Sequence, residues 1–391
     1  MQKKFIVLAI AALASGSAFA ADTTVYGVLD AAVGNVSGSG VKGAMLAVDG
    51  GLAGSRLGVK AVEELDGGMK AIAVVEFGLA TETSNSATTT PTITSTTTVV
   101  NAPVAAVPVT STTQAATTAS TSTGVTATNL AARQQLLGLA GSFGTVATGY
   151  LQTTGYDFGI KYDAFGGSSV SALQNVTGSS FLLGAKGGAA RAQRALAYIS
   201  PDISGLTFAV NYSTALTGLG DAATLSTAAA TGVTATLLSA NYVAGPLSAG
   251  AAYISLGGAS NATEMGLGVS YDLGVAKVLA SYQSNASTSV GTAVSVTSTA
   301  YGISGVVPVG TDAVVLGIAS NTLTTANTSA TGMSLGYLHP MSKTMTAYAA
   351  YSSVTNGSAS ATYSVANSVL GGAGTVGASS SLIGAGLNKK F

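Results

Sequence analysis

The chain is 391 residues long with 8% charged and 47% hydrophobic residues, 51 Gly, one His, no Cys and no Trp, and a mean hydropathy of +0.48. About a quarter of an ordinary soluble domain is charged, so this composition speaks against one. The absence of Cys and the single His exclude a disulfide framework, a Cys nucleophile and a His-rich metal site, and fifteen Lys and Arg are too few for a nucleic-acid surface.

A positive mean hydropathy would ordinarily mean spanning helices, which need roughly 18 consecutive apolar residues. Beyond the first twenty residues no such run occurs, and apolar residues alternate instead with Gly, Ser and Thr. Alternation is the signature of a membrane β-barrel, the other structure that satisfies every backbone hydrogen bond in lipid. The expected fold is therefore all-β.

Residues 1–20 read as a secretory signal peptide: Lys3 and Lys4, an apolar stretch Phe5–Ala14, and the cleavage site Ala18-Phe19-Ala20. Cleavage after Ala20 leaves thirteen basic against fifteen acidic residues in 21–391. Thr23–Asp30 is the first strand. Val41–Ala53 then returns through a loop into Gly54–Leu79, two alternating runs about a turn at Glu63–Gly68. Leu57, Val59 and Ala61 lie opposite Arg56 and Lys60, and Ala71, Ala73, Val75 and Phe77 lie opposite Lys70, Ile72, Val74 and Glu76. A charged strand face requires water, which an aqueous lumen supplies.

The segments GSRLGVK and GGMKAIAVVEFGL within 54–79 resemble the general-diffusion porins of Gram-negative outer membranes, in their β-proteobacterial (neisserial and Burkholderia-like) branch. RQQLLGLAGSFGTVATGY at 133–150 and RAQRALAYISPDISGLTFAVNY at 191–212 resemble further signatures of that family. Two departures stand out: Tyr150 where a pore-facing Arg is usual, and Arg194 where an uncharged residue is usual.

Thr81–Thr128, nearly all Thr, Ser, Ala, Val and Pro, reads as a long extracellular loop. An adhesive or stalk-like role for it is the alternative to a channel function. Arg133–Gly141 and Phe143–Gln152 form the next hairpin. Thr153–Ala190 follows the fifth strand, the place of the family's third loop, which the resemblance implies is folded into the lumen as a constriction. Hairpins then recur, with turns at 244–246, 272–274, 308–312 and His339–Lys343, up to a last strand Ser380–Phe391. In one of them Tyr271 and Tyr282 end successive strands, placing them at the two membrane interfaces. About seven short turns give roughly sixteen strands.

The candidate pore-constriction residues are Arg56, Lys60, Lys70, Glu76, Arg133, Arg191 and Arg194 on the wall, opposed by Asp157 and Asp163 on the internal loop. Such an arrangement sets up a transverse field across the pore. Beyond residue 200 the inward positions are Ser, Thr, Gly and Ala, which suggests a weakly selective wall for small neutral solutes. His339 reads as a solvated turn residue, and Gly372–Gly377 spells G-x-G-x-x-G without the helix a dinucleotide site needs. The reading is a non-enzymatic outer-membrane porin with no cofactor. The resemblance further implies a homotrimer set in outer-membrane lipid and lipopolysaccharide, delivered by the barrel-assembly machinery through the terminal Phe391.

Overall fold

The computed structural model describes residues 22–38, 41–79, 130–217, 234–257, 260–289, 295–323, 328–359, 363–365 and 376–391. The expected signal peptide, residues 1–20, and Thr81–Thr128 lie outside the described residues. Seventeen strands occur among those described, all in one antiparallel sheet. They are β1 (Asp22–Gly38), β2 (Val41–Asp49), β3 (Arg56–Glu64), β4 (Lys70–Leu79), β5 (Leu130–Gly141) and β6 (Gly144–Gln152), then β7 (Arg191–Ile199), β8 (Leu206–Thr217), β9 (Thr234–Ala244) and β10 (Leu247–Gly257). The remainder are β11 (Ser260–Asp272), β12 (Lys277–Ser289), β13 (Ser295–Val309), β14 (Asp312–Leu323), β15 (Ala330–Pro340), β16 (Met345–Asn356) and β17 (Ser379–Lys390).

Each strand from β3 to β17 pairs with its sequence neighbours, and β17 returns to β1 with Val28 opposite Lys390 and Gly38 opposite Ser380. The upper part of β1 pairs with β2 and its lower part, Asp22–Val28, with β3, so β2 and β3 form one interrupted stave. The barrel thus has sixteen staves. Gly27 seals it, its N–H donating to the Phe391 carbonyl at 2.9 Å and its carbonyl accepting from the Phe391 N–H at 3.1 Å.

Parity assigns the two faces. On β1 the exposed Val25, Leu29 and Val33 alternate with buried Val28, Asp30 and Val36, and across β11 exposed Met265, Leu267, Val269 and Tyr271 alternate with buried Glu264 and Ser270. The exposed set is an apolar exterior, rimmed by Tyr198, Tyr212, Tyr242, Tyr253, Tyr271, Tyr301 and Tyr337, as a lipid-facing barrel wall requires.

Most strands run further than the periodicity suggests. β1 extends to Gly38, and β12 continues to Ser289, so Tyr282 sits in mid-strand opposite Leu267 instead of ending its strand. The extension of β12 is rich in Ser, Thr and Asn, and a strand polar on both faces carries no hydrophobic alternation to reveal it. Tyr282 pairs with Tyr301, ring centroids 5.2 Å apart, where the outward apolar residues of these strands give way to polar ones.

Between β6 and β7 the chain folds into the barrel and forms two short helices, α1 (Thr154–Lys161) and α2 (Ala172–Thr177), capped by the Thr153 and Ser171 hydroxyls. The internal loop buries its apolar side chains in two cores. Phe158, Tyr162, Leu182 and Leu183 pack with Leu237 and Ile254, while Phe165, Leu173, Val176 and Phe181 pack with Val315 and Val354.

The seat for these side chains is made of inward glycines. A Cβ on Gly268 would stand 2.3 Å from the Tyr162 ring, one on Gly266 2.6 Å from Phe158 and one on Gly336 2.9 Å from Phe165. Inner-wall polar groups hold the backbone between them. Asn211 Oδ1 accepts from the Thr154 N–H at 2.7 Å, Ser304 Oγ from the Ala164 N–H at 2.9 Å, and Asn321 donates to the Val176 carbonyl at 2.5 Å. This corrects the reading of the later strands as a neutral pore wall. Their small and polar inward residues seat and bind the loop, because a glycine in a strand leaves room for whatever packs over it.

Candidate functional site

The remaining arc of inner wall, from β1 to β7, carries the charges. Pairing of Tyr26 with Gly58, Val28 with Arg56, and Gly58 with Glu76 puts Tyr26, Arg56 and Glu76 on one inward patch. Arg133 reaches the same patch through an irregularity. Glu76 pairs with Gln134 but Phe77 pairs with Ala132, leaving Arg133 as the extra residue of a bulge. A bulge re-aims a side chain, and here it turns Arg133 toward Glu76, its Nε 2.7 Å from Oε1.

Glu76 is 4% exposed and receives the Tyr26 hydroxyl at 3.0 Å, with the Arg56 Nε 4.0 Å away. One carboxylate is therefore held between two guanidinium groups. Arg191, at the start of β7, donates from Nε to the Arg133 carbonyl at 2.9 Å and lies 4.9 Å over the Tyr156 ring of α1. Lys60 continues the inward row of β3 below Arg56 and is exposed.

Two of the sequence candidates stand apart from this group. Lys70 lies at the other end of β4, paired with Glu64 at 2.7 Å beside the Asp66–Gly68 turn, and both side chains are largely solvated. Arg194 is exposed, has φ of 47°, and takes part in none of the ion pairs among the described residues.

The loop carboxylates differ from each other. Asp157 is exposed and accepts from Gln152 Nε2 at 2.5 Å. Asp163 is buried, accepting from the Ser171 hydroxyl and the Phe165 N–H, and burial pushes its carboxyl above the usual range. It organises the loop from within and does not oppose the arginines across water.

Two further acids, absent from the sequence candidates, act as clamps. Asp30 is fully buried and accepts from the Leu52 and Ala53 N–H groups, the Tyr348 hydroxyl and Asn388 Nδ2, at 2.6–3.1 Å. It thereby fixes the inward excursion 50–55 that interrupts the second stave. Glu264, 1% exposed, accepts from the Leu182 and Leu183 N–H groups at 2.5 and 3.2 Å and from Asn285 Nδ2 at 2.9 Å. Its inward parity between neutral residues of β11 is visible in the sequence, but its partner, a loop backbone eighty residues away, is not. Lys186, near Asp163, donates to Asn175 Oδ1 at 3.0 Å, and burial pulls its ammonium down to about 8.

A closed sheet with an apolar exterior, an internal loop and a charged inner arc is the build of a transmembrane channel. Among the described residues no helix is long and apolar enough to cross a membrane. The family model described as Gram-negative porin matches residues 7–379. The chain belongs to the Gram-negative porin family, and it forms an outer-membrane channel for passive diffusion.

Solved structures agree in fold. The anion-selective porin from Comamonas acidovorans superposes with a TM-score of 0.71 at 20% identity, covering 95% of this chain and 100% of that one. In-vitro folded OmpT of Vibrio cholerae in its trimer form gives 0.60 at 15% identity, covering 95% and 100%. OmpF of Salmonella typhi in complex with daunomycin gives 0.57 at 12%, covering 94% and 97%. No curated protein matches the sequence significantly.

Proposed function

We propose that the channel narrows between the arginine arc and the free face of the internal loop, and that it favours small anions. The observation that carries this reading is the fate of the carboxylates. Asp30, Asp163 and Glu264 are buried and committed to backbone donors, and Glu76 is enclosed by Arg56 and Arg133. Along the arc Arg56, Lys60, Arg133 and Arg191 outnumber Glu76 and the exposed Asp157 of α1, so the balance of charge toward the lumen is positive. A low-dielectric wall focuses such a positive field into the lumen and raises the local anion concentration. The structurally similar Comamonas porin is anion-selective, which supports the same sign.

Reversal potential in a planar bilayer under a KCl gradient tests the proposal. Chloride should be favoured, and Arg133→Gln or Arg191→Gln should shift the potential toward zero selectivity. Lys70→Gln, at a rim already neutralised by Glu64, should leave it unchanged. A cation-selective wild type would overturn the reading.

The same proposal includes a homotrimer, supported by the trimeric relative. It also includes a signal peptide cleaved after Ala20, contacts of the apolar exterior with lipid and lipopolysaccharide, and delivery by the barrel-assembly machinery through Phe391. The proposal is of a channel and not an enzyme; Asp312, which accepts from the Tyr337 and Thr311 hydroxyls and contacts His339 at 2.8 Å, serves to tie together an exposed turn.

A further inference from the structure

Beneath the internal loop lies a half-open hollow of about 300 Å³ lined by Leu52, Ile160, Asp163, Phe165, Val315 and Leu338. A dry apolar cavity of ~150 Å³ already accommodates benzene, so this space holds a six-membered ring with room to spare. Leu52 and Ile160 are half-buried where the adjoining Val315 and Phe165 are fully packed.

The hollow adjoins the arginines along two separate stretches of chain. On α1, Tyr156 and Ile160 are four residues apart and share a face, about 6 Å from one to the next. The first is the ring under Arg191 and the second lines the hollow. In the excursion 50–55, Leu52 lines the hollow, while the carbonyl of Gly54 accepts from Arg56 Nη1 at 3.0 Å. The side of Gly54 where a Cβ would stand is 3.6 Å from Arg133 Nη1. Fixed cations and an apolar recess thus share one stretch of the lumen. Asp163, which also lines the hollow, has its oxygens hydrogen-bonded to Ser171 and the Phe165 N–H, and the nearby Lys186 offsets its charge.

We propose that this juxtaposition is a solute site for small monocarboxylates with a compact apolar body, of which an aromatic acid is the best fit: the carboxylate on Arg56, Arg133 and Arg191, the ring against Leu52 and Ile160. The inference rests on the anion-favouring reading above and adds a chemical class to it. Guanidinium groups take carboxylates through paired N–H donors, and the apolar body gains from leaving water. A hydrophilic anion of the same charge gains only the first of these.

The test uses the full-length refolded protein in planar bilayers, with benzoate and acetate as probes. Benzoate added to a chloride electrolyte should interrupt the single-channel current with resolvable blocks, whereas acetate should not. Leu52→Asn and Ile160→Asn, each a half-buried position at the lumen, should shorten the benzoate blocks about five-fold, the size of a partly lost apolar contact, and leave chloride conductance as it was. Two independent variants guard against one of them folding poorly. Benzoate blocks no longer than those of acetate, or blocks unchanged in both variants, would overturn the proposal while leaving anion preference standing. Cation selectivity in the wild type would instead remove the reading beneath it.

Discussion

Glu264 offers the sharpest test of how the internal loop is held. Its two oxygens take three buried donors, the N–H groups of Leu182 and Leu183 and the Asn285 side-chain amide. Glu264→Leu leaves all three without an acceptor in a site closed to water. Each stranded donor costs about 1–3 kcal/mol, so the closed position of this part of the loop loses at least about 3 kcal/mol. That is roughly a hundred-fold change in the population of the displaced loop. The loss is local, since α1 and α2 keep their own contacts through Asn211, Ser304 and Asn321. Barrel pairing also survives, because the backbone ladders of β11 with β10 and β12 are untouched and only the Glu264–Asn285 side-chain bond between neighbouring strands is lost. The chain has no Cys, so Ala185→Cys creates a single reporter beside Lys186. Its labelling by a small thiol reagent should be at least ten times faster in the Glu264→Leu background, and the single-channel current should become noisy. Glu264→Gln, which keeps an acceptor oxygen, should fall between. Equal labelling rates and equally quiet channels in all three would refute the idea that this carboxylate clamps the loop.

Gly268→Leu places a side chain where the Tyr162 ring already lies, 2.3 Å from the would-be Cβ. Overpacking of this kind costs about 1–3 kcal/mol, and it should shift conductance and lower refolding yield, whereas Gly245→Ala, at an open turn, should cost only backbone strain and leave conductance alone. Lys186 gives the loop a pH dependence. Its pKa falls from 10.5 unfolded to about 8 folded, so between those values the unfolded chain binds more protons and stability rises with pH. Loop opening, read by the Ala185→Cys reporter and corrected for thiol ionisation, should therefore slow as pH rises through 8 toward 10.5, and Lys186→Met should abolish the trend. Gly27→Val drives a branched side chain into the Phe391 ring, whose nearest atom is 2.3 Å from the would-be Cβ. It should impair closure of the barrel, seen as loss of the compact, heat-modifiable band on a gel; normal assembly would remove Phe391 from the closing contact.

The barrel was legible because its information is local. A strand half in lipid and half in water alternates with period two, and that pattern gave the hairpins from β3 to β17, their short turns and the inward parity of Arg56, Lys60 and Glu76. Arg133 shows the limit of parity. Simple alternation along β5 would send it outward with Gln135, and the bulge opposite Glu76 and Phe77 brings it in. The polar upper end of β12 was missed for the complementary reason, having no apolar face to mark it.

Roles on the lumen side depended on what lay across the barrel. Asp163 and Glu264 are both acids near water in one dimension, yet in three dimensions each is buried under backbone donors from distant segments. The inward glycines of β10 to β15 look like an empty wall in sequence because a missing side chain carries no sign of what replaces it. Period and polarity along the chain determine that a barrel forms and which face meets lipid. Which inward residues meet water is decided by the course of one loop, since its packing partners are brought together only when the sheet has closed around it.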